Sequence, residues 1–172
     1  MRFSAKFTML MAVLAVSACT NANRFDNDAV DLNAATGSAG GIVPGSANDP
    51  SSPAYFQQTV GDRVLFAIDQ STLSPEARAT LDGQVQWLLR NTDYNAVIEG
   101  HADEQGTRAY NLALGARRAN AVMEYLVAQG VSANRLRFVS YGKERPIEIC
   151  SQEACYAKNR RAVTIISSGL TS

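Results

Sequence analysis

The pattern of apolar and polar positions divides the chain into three stretches. Phe7 to Val16 is a largely apolar run of about ten residues. From Thr20 to Ala54 the large apolar residues thin out to Phe25, Val30, Leu32, Ile42 and Val43. Beyond Tyr55 the pattern becomes periodic and predicts a compact domain over 55–172. Arg63 to Ile68 (RVLFAI) reads as a short strand. Ser74-Pro75-Glu76 then starts a helix, with a Ser cap, Pro in the first turn and an early acidic residue. Ala77, Leu81, Val85, Leu88 and Leu89 recur at helical spacing up to Arg90. Ala96 to Glu99 predicts a second strand, and the polar segment His101 to Thr107 a loop. A long helix follows from about Arg108 to Gln129, with Leu112, Ala116, Ala119, Met123, Leu126 and Val127 as its core stripe and Gly130 closing it. Leu136 to Tyr141 and Ala162 to Ile166 read as the last two strands, the latter edge-like behind Arg160 and Arg161. The order β-α-β-α-β-β predicts an α+β fold, an α/β sandwich with helices on one face of a small mixed sheet.

Length and charge narrow the function classes. The 172 residues suffice for one domain with appendages. Sixteen basic and sixteen acidic side chains cancel, which argues against a nucleic-acid footprint and against a polybasic membrane anchor.

The first stretch reads as an export signal over 1–18, with Arg2 and Lys6 ahead of the apolar run. That run is too short to span a bilayer as a helix, which takes roughly twenty residues. Val16-Ser17-Ala18-Cys19 resembles the lipobox of bacterial lipoproteins, with Val16 where leucine is usual. The resemblance implies cleavage before Cys19 and acylation of that cysteine. Thr20, rather than aspartate, follows it, which in the enteric sorting rule implies the outer membrane. Several acyl chains exceed what stable anchoring needs. Residues 19–54 are then a lipidated Cys19 and a flexible linker. As a coil Thr20–Ala54 would reach about 30–35 Å, and taut roughly 120 Å.

Candidate chemistry concentrates between Glu99 and Val122, EGHADEQGTRAYNLALGARRANAV. This stretch leaves a strand, turns through a loop and enters a helix, a junction that presents backbone N–H groups to a ligand. Asp103 in the loop and Arg118 inside the helix suit a zwitterion, the carboxylate taking an ammonium and the guanidinium forking a carboxylate. Asn111 is placed to brace the loop. The plainer alternative makes Asp103 a turn former and Arg117 and Arg118 solvated charges on a helix face.

The GHADEQGT loop, the NLALGARRANAV helix, the VSYGKERP turn and the KNRRAV strand, in that order, resemble the OmpA-like peptidoglycan-binding domain family over about Val64 to Ile166. The resemblance extends to its lipid-anchored members. It implies non-covalent binding of the diaminopimelate in uncrosslinked stem peptides, with Asp103 meeting the ammonium and Arg118 the carboxylate. Asn111, Leu114 and the segment Phe66 to Asp69 are implied to surround the pocket. It further implies a domain facing the periplasm, TolB and other Tol components as partners, and a part in envelope integrity and cell division. Ala67 and Gln105 depart from the family, where polar or acidic residues and arginine, respectively, are common. Arg160 and Arg161 read first as ordinary solubilising charges at the start of an edge-like strand, and a supporting role at the pocket is the weaker reading.

Other chemistries fit less well. His101 is the only histidine, so a zinc site lacks ligands, and a hydrogen-bonded structural imidazole is expected. No nucleophile motif is present, and the adjacent Asp103 and Glu104 are poorly placed to act as a glycosidase pair. The reading is therefore a binder without cofactor or metal, not an enzyme. Cys150 and Cys155 are expected to form a disulfide that stabilises a long connection. A wall-binding lipoprotein independent of Tol is the alternative, and an envelope hydrolase a distant one. Flagellar-motor stators share the domain but carry a transmembrane helix in place of a lipobox.

Overall fold

A computed structural model describes residues 42–169. The export signal, Cys19 and the linker up to residue 41 lie outside the described residues. Among those described, no helix is long and apolar enough to cross a membrane.

Four strands form one mixed sheet in the order β1-β4-β2-β3. They are β1 (Arg63–Leu65), β2 (Tyr94–His101), β3 (Leu136–Gly142) and β4 (Arg161–Ser168). β4 runs antiparallel to both β1 and β2, while β2 and β3 are parallel. The helices are α1 (Pro53–Tyr55), α2 (Pro75–Arg90), α3 (Arg108–Ala128) and α4 (Glu153–Asn159), with a π-turn over Phe56–Gly61 continuing from α1. The α+β fold with both long helices on one sheet face is as expected. α4 is an additional element in the connection between β3 and β4.

The start of α2 follows its sequence signals: Ser74 Oγ accepts from the Ala77 N–H, and Pro75 opens the helix. Its buried side carries Ala77, Leu81, Val85, Trp87 and Leu88, whereas Leu89 is half exposed. These residues meet Val64, Ala96, Ile98 and Ala162 from the sheet, with Ala119, Val122 and Leu126 of α3. Gln84 spans this core, donating to the Gly61 carbonyl and accepting from Thr164 Oγ1.

Three expectations need correction. The first concerns residues 42–54, which composition assigns to the linker but which belong to the same compact unit as the domain. Trp87 Nε1 donates to the Pro50 carbonyl at 2.8 Å, Ser52 is buried, and Phe56 stacks edge-on against Trp87. The second concerns the core stripe of α3. The buried face is Asn111, Leu114, Gly115, Arg118, Ala119, Val122 and Leu126, while Leu112 is 49% exposed and Val127 is exposed. Two polar residues and a glycine face inward, so hydrophobicity alone rotates the stripe away from its true position. The third is that β4 is an interior strand, and Arg160 and Arg161 are each only 5% exposed. Arginine tolerates that burial because its five N–H groups can be met by carbonyls and carboxylates.

Candidate functional site

The end of β2 and the start of α3 are held together by an unusually close backbone approach. A Cβ on Gly100 would lie 1.9 Å from the Gly115 carbonyl oxygen, so both positions require glycine. One turn beyond Gly115, α3 thereby delivers Arg118 beneath the loop that leaves β2. Thr107 caps α3, its hydroxyl accepting from the Tyr110 N–H.

The loop itself is braced from three sides. Asp103 Oδ1 accepts from the Gln105 N–H, a turn-forming bond within the loop. Asn111 Nδ2 donates to the Gln105 carbonyl at 2.7 Å, the bracing role expected of it. Lys143, from the turn after β3, donates to the carbonyls of Glu104 and Gly106. Gln105 contributes only backbone atoms to these contacts.

Arg118 is not at a surface pocket. It is 0% exposed, and its Nε, Nη1 and Nη2 donate to the carbonyls of Gln70, His101 and Ala67 at 2.8, 2.9 and 3.0 Å. Its guanidinium also lies 5.2 Å from the centre of the buried Phe66 ring, within cation–π range. Burial lowers its pKa to about 10, partly offset by Asp103, so it remains a cation at neutral pH. These bonds fix residues 66–70, including Asp69, whose φ of 55° is left-handed. Asp69 Oδ1 accepts from the Tyr110 hydroxyl, which ties this segment to α3 a second time. Ala67 engages Arg118 through its carbonyl, so its side chain is free to differ.

The carboxylate of Asp103, also buried, is paired with Arg160 rather than with Arg118. Arg160 Nη1 lies 3.1 Å from Asp103 Oδ2, Nε donates to the Phe66 carbonyl, and Nη2 binds Glu153. Burial opposes the charge on Arg160, but its bonds to Glu153 and Asp103 prevail and raise its pKa. Arg160, immediately before β4, is thus the ion-pair partner of Asp103. Arg161 instead donates to the carbonyls of Asn159 and Arg145 and has no bond to Asp103. Leu114 is buried on the sheet-facing side of α3. Arg117 is exposed and approaches the Tyr110 ring at 6.0 Å, as the plainer reading has it.

His101 corrects another expectation. It is 1% exposed, yet neither ring nitrogen has a hydrogen-bond partner among the described residues. Glu99 Oε2 is 3.6 Å away, beyond hydrogen-bond reach, and the ring stacks on Tyr141. Burial, with Arg161 and Arg145 nearby, lowers its pKa to about 4, so it is neutral at neutral pH.

Sequence reasoning missed Glu153 and Lys143. Lys143 stands in the VSYGKERP turn, but nothing in its spacing marks a bond to a loop far away in sequence. The disulfide is where the spacing placed it, joining Cys150 and Cys155 around the start of α4. A cleft of about 420 Å³ between β1, the start of α2 and Ile147 includes none of the expected site residues.

Asp103 makes one bond to Arg160 and one to the loop amide, and both Arg118 and Arg160 are held by backbone carbonyls of residues 66–70 and 101. Residues 65–160 match the OmpA family. The chain is 47% identical over 157 residues to a peptidoglycan-associated lipoprotein of Rhizobium meliloti, covering 91% of this chain and 84% of that protein. It is 41% identical over 162 residues to that of Pseudomonas aeruginosa, covering 91% and 93%. Among solved structures, the peptidoglycan-associated lipoprotein of Burkholderia pseudomallei superposes with a TM-score of 0.63 at 36% identity, covering 70% of this chain and 98% of that one. The C-terminal domain of Helicobacter pylori MotB shares the fold at a TM-score of 0.59 and 22% identity, covering 63% and 86%. The chain belongs to the OmpA family, among its peptidoglycan-associated lipoproteins, and is a binding protein rather than an enzyme.

Proposed function

We propose that the protein tethers the outer membrane to the cell wall, with acylated Cys19 in the membrane and the domain on peptidoglycan, as part of the Tol-Pal system. The ligand is the free amino-acid end of diaminopimelate in an uncrosslinked stem peptide. Asp103 receives its ammonium. Three of the five N–H groups of Arg118 are bound to carbonyls, which leaves two for the ligand's carboxylate. Because Arg118 is buried, the carboxylate reaches it when residues 67–70 shift aside. Asn111, Leu114, Phe66 and Asp69 shape the surroundings. TolB and other Tol components are the protein partners, and envelope integrity during division is the role.

The observation that carries this reading is the pair of arginines, Arg160 and Arg118, converging on the Phe66–Gln70 segment beside a buried Asp103. Such a frame sets guanidinium groups beside a carboxylate, the charge pattern that complements a zwitterion. The test is co-sedimentation of the purified protein with isolated cell wall. Wild type should pellet, free diaminopimelate should compete, and Asp103→Asn should weaken binding by roughly tenfold or more, the value of one charge-assisted hydrogen bond. A wild-type protein that stays in the supernatant, or an Asp103→Asn variant that pellets equally, overturns it.

A further inference from the structure

Arg160 is shared unequally between two carboxylates. Glu153 takes both of its terminal nitrogens: Oε1 binds Nη2, and Oε2 lies 3.5 Å from Nη1. Asp103 receives a single bond, from Nη1 to Oδ2. Around Arg160 itself, two carboxylates share one guanidinium, so neither is fully neutralised by it. Exposure is equally uneven. The side chain of Glu153 is 60% exposed, whereas those of Arg160 and Asp103 are 6% and 11%. Glu153 opens α4 and lies between Cys150 and Cys155, so the disulfide constrains the turn that presents it.

We propose that Glu153 is a specificity-determining residue of this site: by engaging the fork of Arg160, it keeps Arg160 from saturating Asp103 and leaves Asp103 available to a ligand's primary ammonium. Without Glu153, Nη2 is free to turn toward Asp103 and form the two-point arginine–carboxylate pair, which competes with an ammonium for the same oxygens. The Cys150–Cys155 bridge contributes by holding the start of α4 within reach of Arg160. This inference rests on the proposed ammonium recognition by Asp103 and adds the residue that tunes it.

The experiment is calorimetric titration of the full chain with a muramyl tripeptide ending in diaminopimelic acid, and with the same peptide N-acetylated on the free side-chain amine. Wild type should prefer the free amine. Glu153→Gln should lose roughly tenfold in affinity for it, with no change toward the acetylated form. Glu153→Asp should recover part of the loss, and a Cys150→Ser/Cys155→Ser double variant should move in the same direction as Glu153→Gln. A purely structural role would weaken both ligands alike. Wild type preferring the amine while Glu153→Gln binds it equally well, or loses both ligands in parallel, overturns the role of Glu153 alone. Wild type indifferent to acetylation overturns the ammonium reading together with it.

Discussion

Gly100 of β2 and Gly115 of α3 meet backbone to backbone, with no side chain between strand and helix. A methyl group on Gly100 would sit 1.9 Å from the Gly115 carbonyl oxygen, and one on Gly115 would sit 2.4 Å from Ser140 Oγ. Ser140 can rotate its hydroxyl away, but the Gly115 carbonyl facing Gly100 is backbone and cannot, so a methyl on Gly100 would have to lift α3 away from the sheet. That movement would carry Arg118 off the His101 carbonyl.

Gly100→Ala should therefore destabilise the protein by about 3 kcal/mol or more, at the upper end of overpacking effects. Gly83, inside α2, offers the contrast. Its added methyl would touch only Val60 Cγ1 at 3.4 Å, an ordinary contact. Gly83→Ala should raise stability by about 0.5–1 kcal/mol through helix propensity. Urea denaturation of the two variants checks both signs.

Truncating Arg118 should unfold the site rather than only empty it. Arg118→Ala leaves the carbonyls of Ala67, Gln70 and His101 without their donor and removes the cation over Phe66. A loss of about 3–5 kcal/mol is expected, the range for breaking a buried charged network. Arg118→Lys should recover little, since an ammonium cannot reach three carbonyls in the plane of a fork. Thermal melts should precede any binding measurement on either variant.

Stability should fall in mild acid because of His101. Its pKa drops from 6.5 in the unfolded chain to about 4 in the fold. The contribution is thus fully present above pH 6.5 and is lost as pH falls toward 4. Linkage sets its size at about 3 kcal/mol across that window. His101→Gln should flatten this part of the stability profile relative to wild type. Parallel slopes for the two proteins between pH 6.5 and 4 would refute the assignment.

Trp87 should govern the order of residues 42–52. Trp87→Phe keeps an aromatic ring beside Phe56 and Tyr94 but removes the donor to the Pro50 carbonyl. A loss of about 1–2 kcal/mol is expected for a buried hydrogen bond with its acceptor left behind. Faster amide exchange at residues 46–52, with slow exchange retained in β2, is the signature to look for.

Much of this architecture was legible because local chemistry and tertiary packing agree. The Ser74 cap, the α2 repeat and the short apolar run Ala96 to Ile98 each specify one element without outside help. Where they disagree, the local pattern misleads. Asn111 and Arg118 lie on the buried face of α3, so its apolar residues are an unreliable guide to that face. Arg160 and Arg161 look like solubilising charges until β4 is seen between β1 and β2. The loop motif disclosed Asp103, but its partnership with Arg160 joins positions 57 residues apart, beyond any local pattern. The ends of strands were also longer than their apolar cores: Tyr94 and His101 pair through backbone atoms whatever their side chains.

The position of β4 has a consequence for how the protein comes into being. Among the described residues, β1 finds its sheet partner only in β4, the last of the four strands, and β4 also supplies the other neighbour of β2. Until residues 161–168 arrive, the sheet is a β2–β3 pair beside an unpaired β1. Such non-local closure makes folding slow and late, because the entropy of bringing distant segments together precedes the contacts that repay it. A chain clipped before Arg161 should consequently lose the whole sheet cooperatively, not merely fray at one edge.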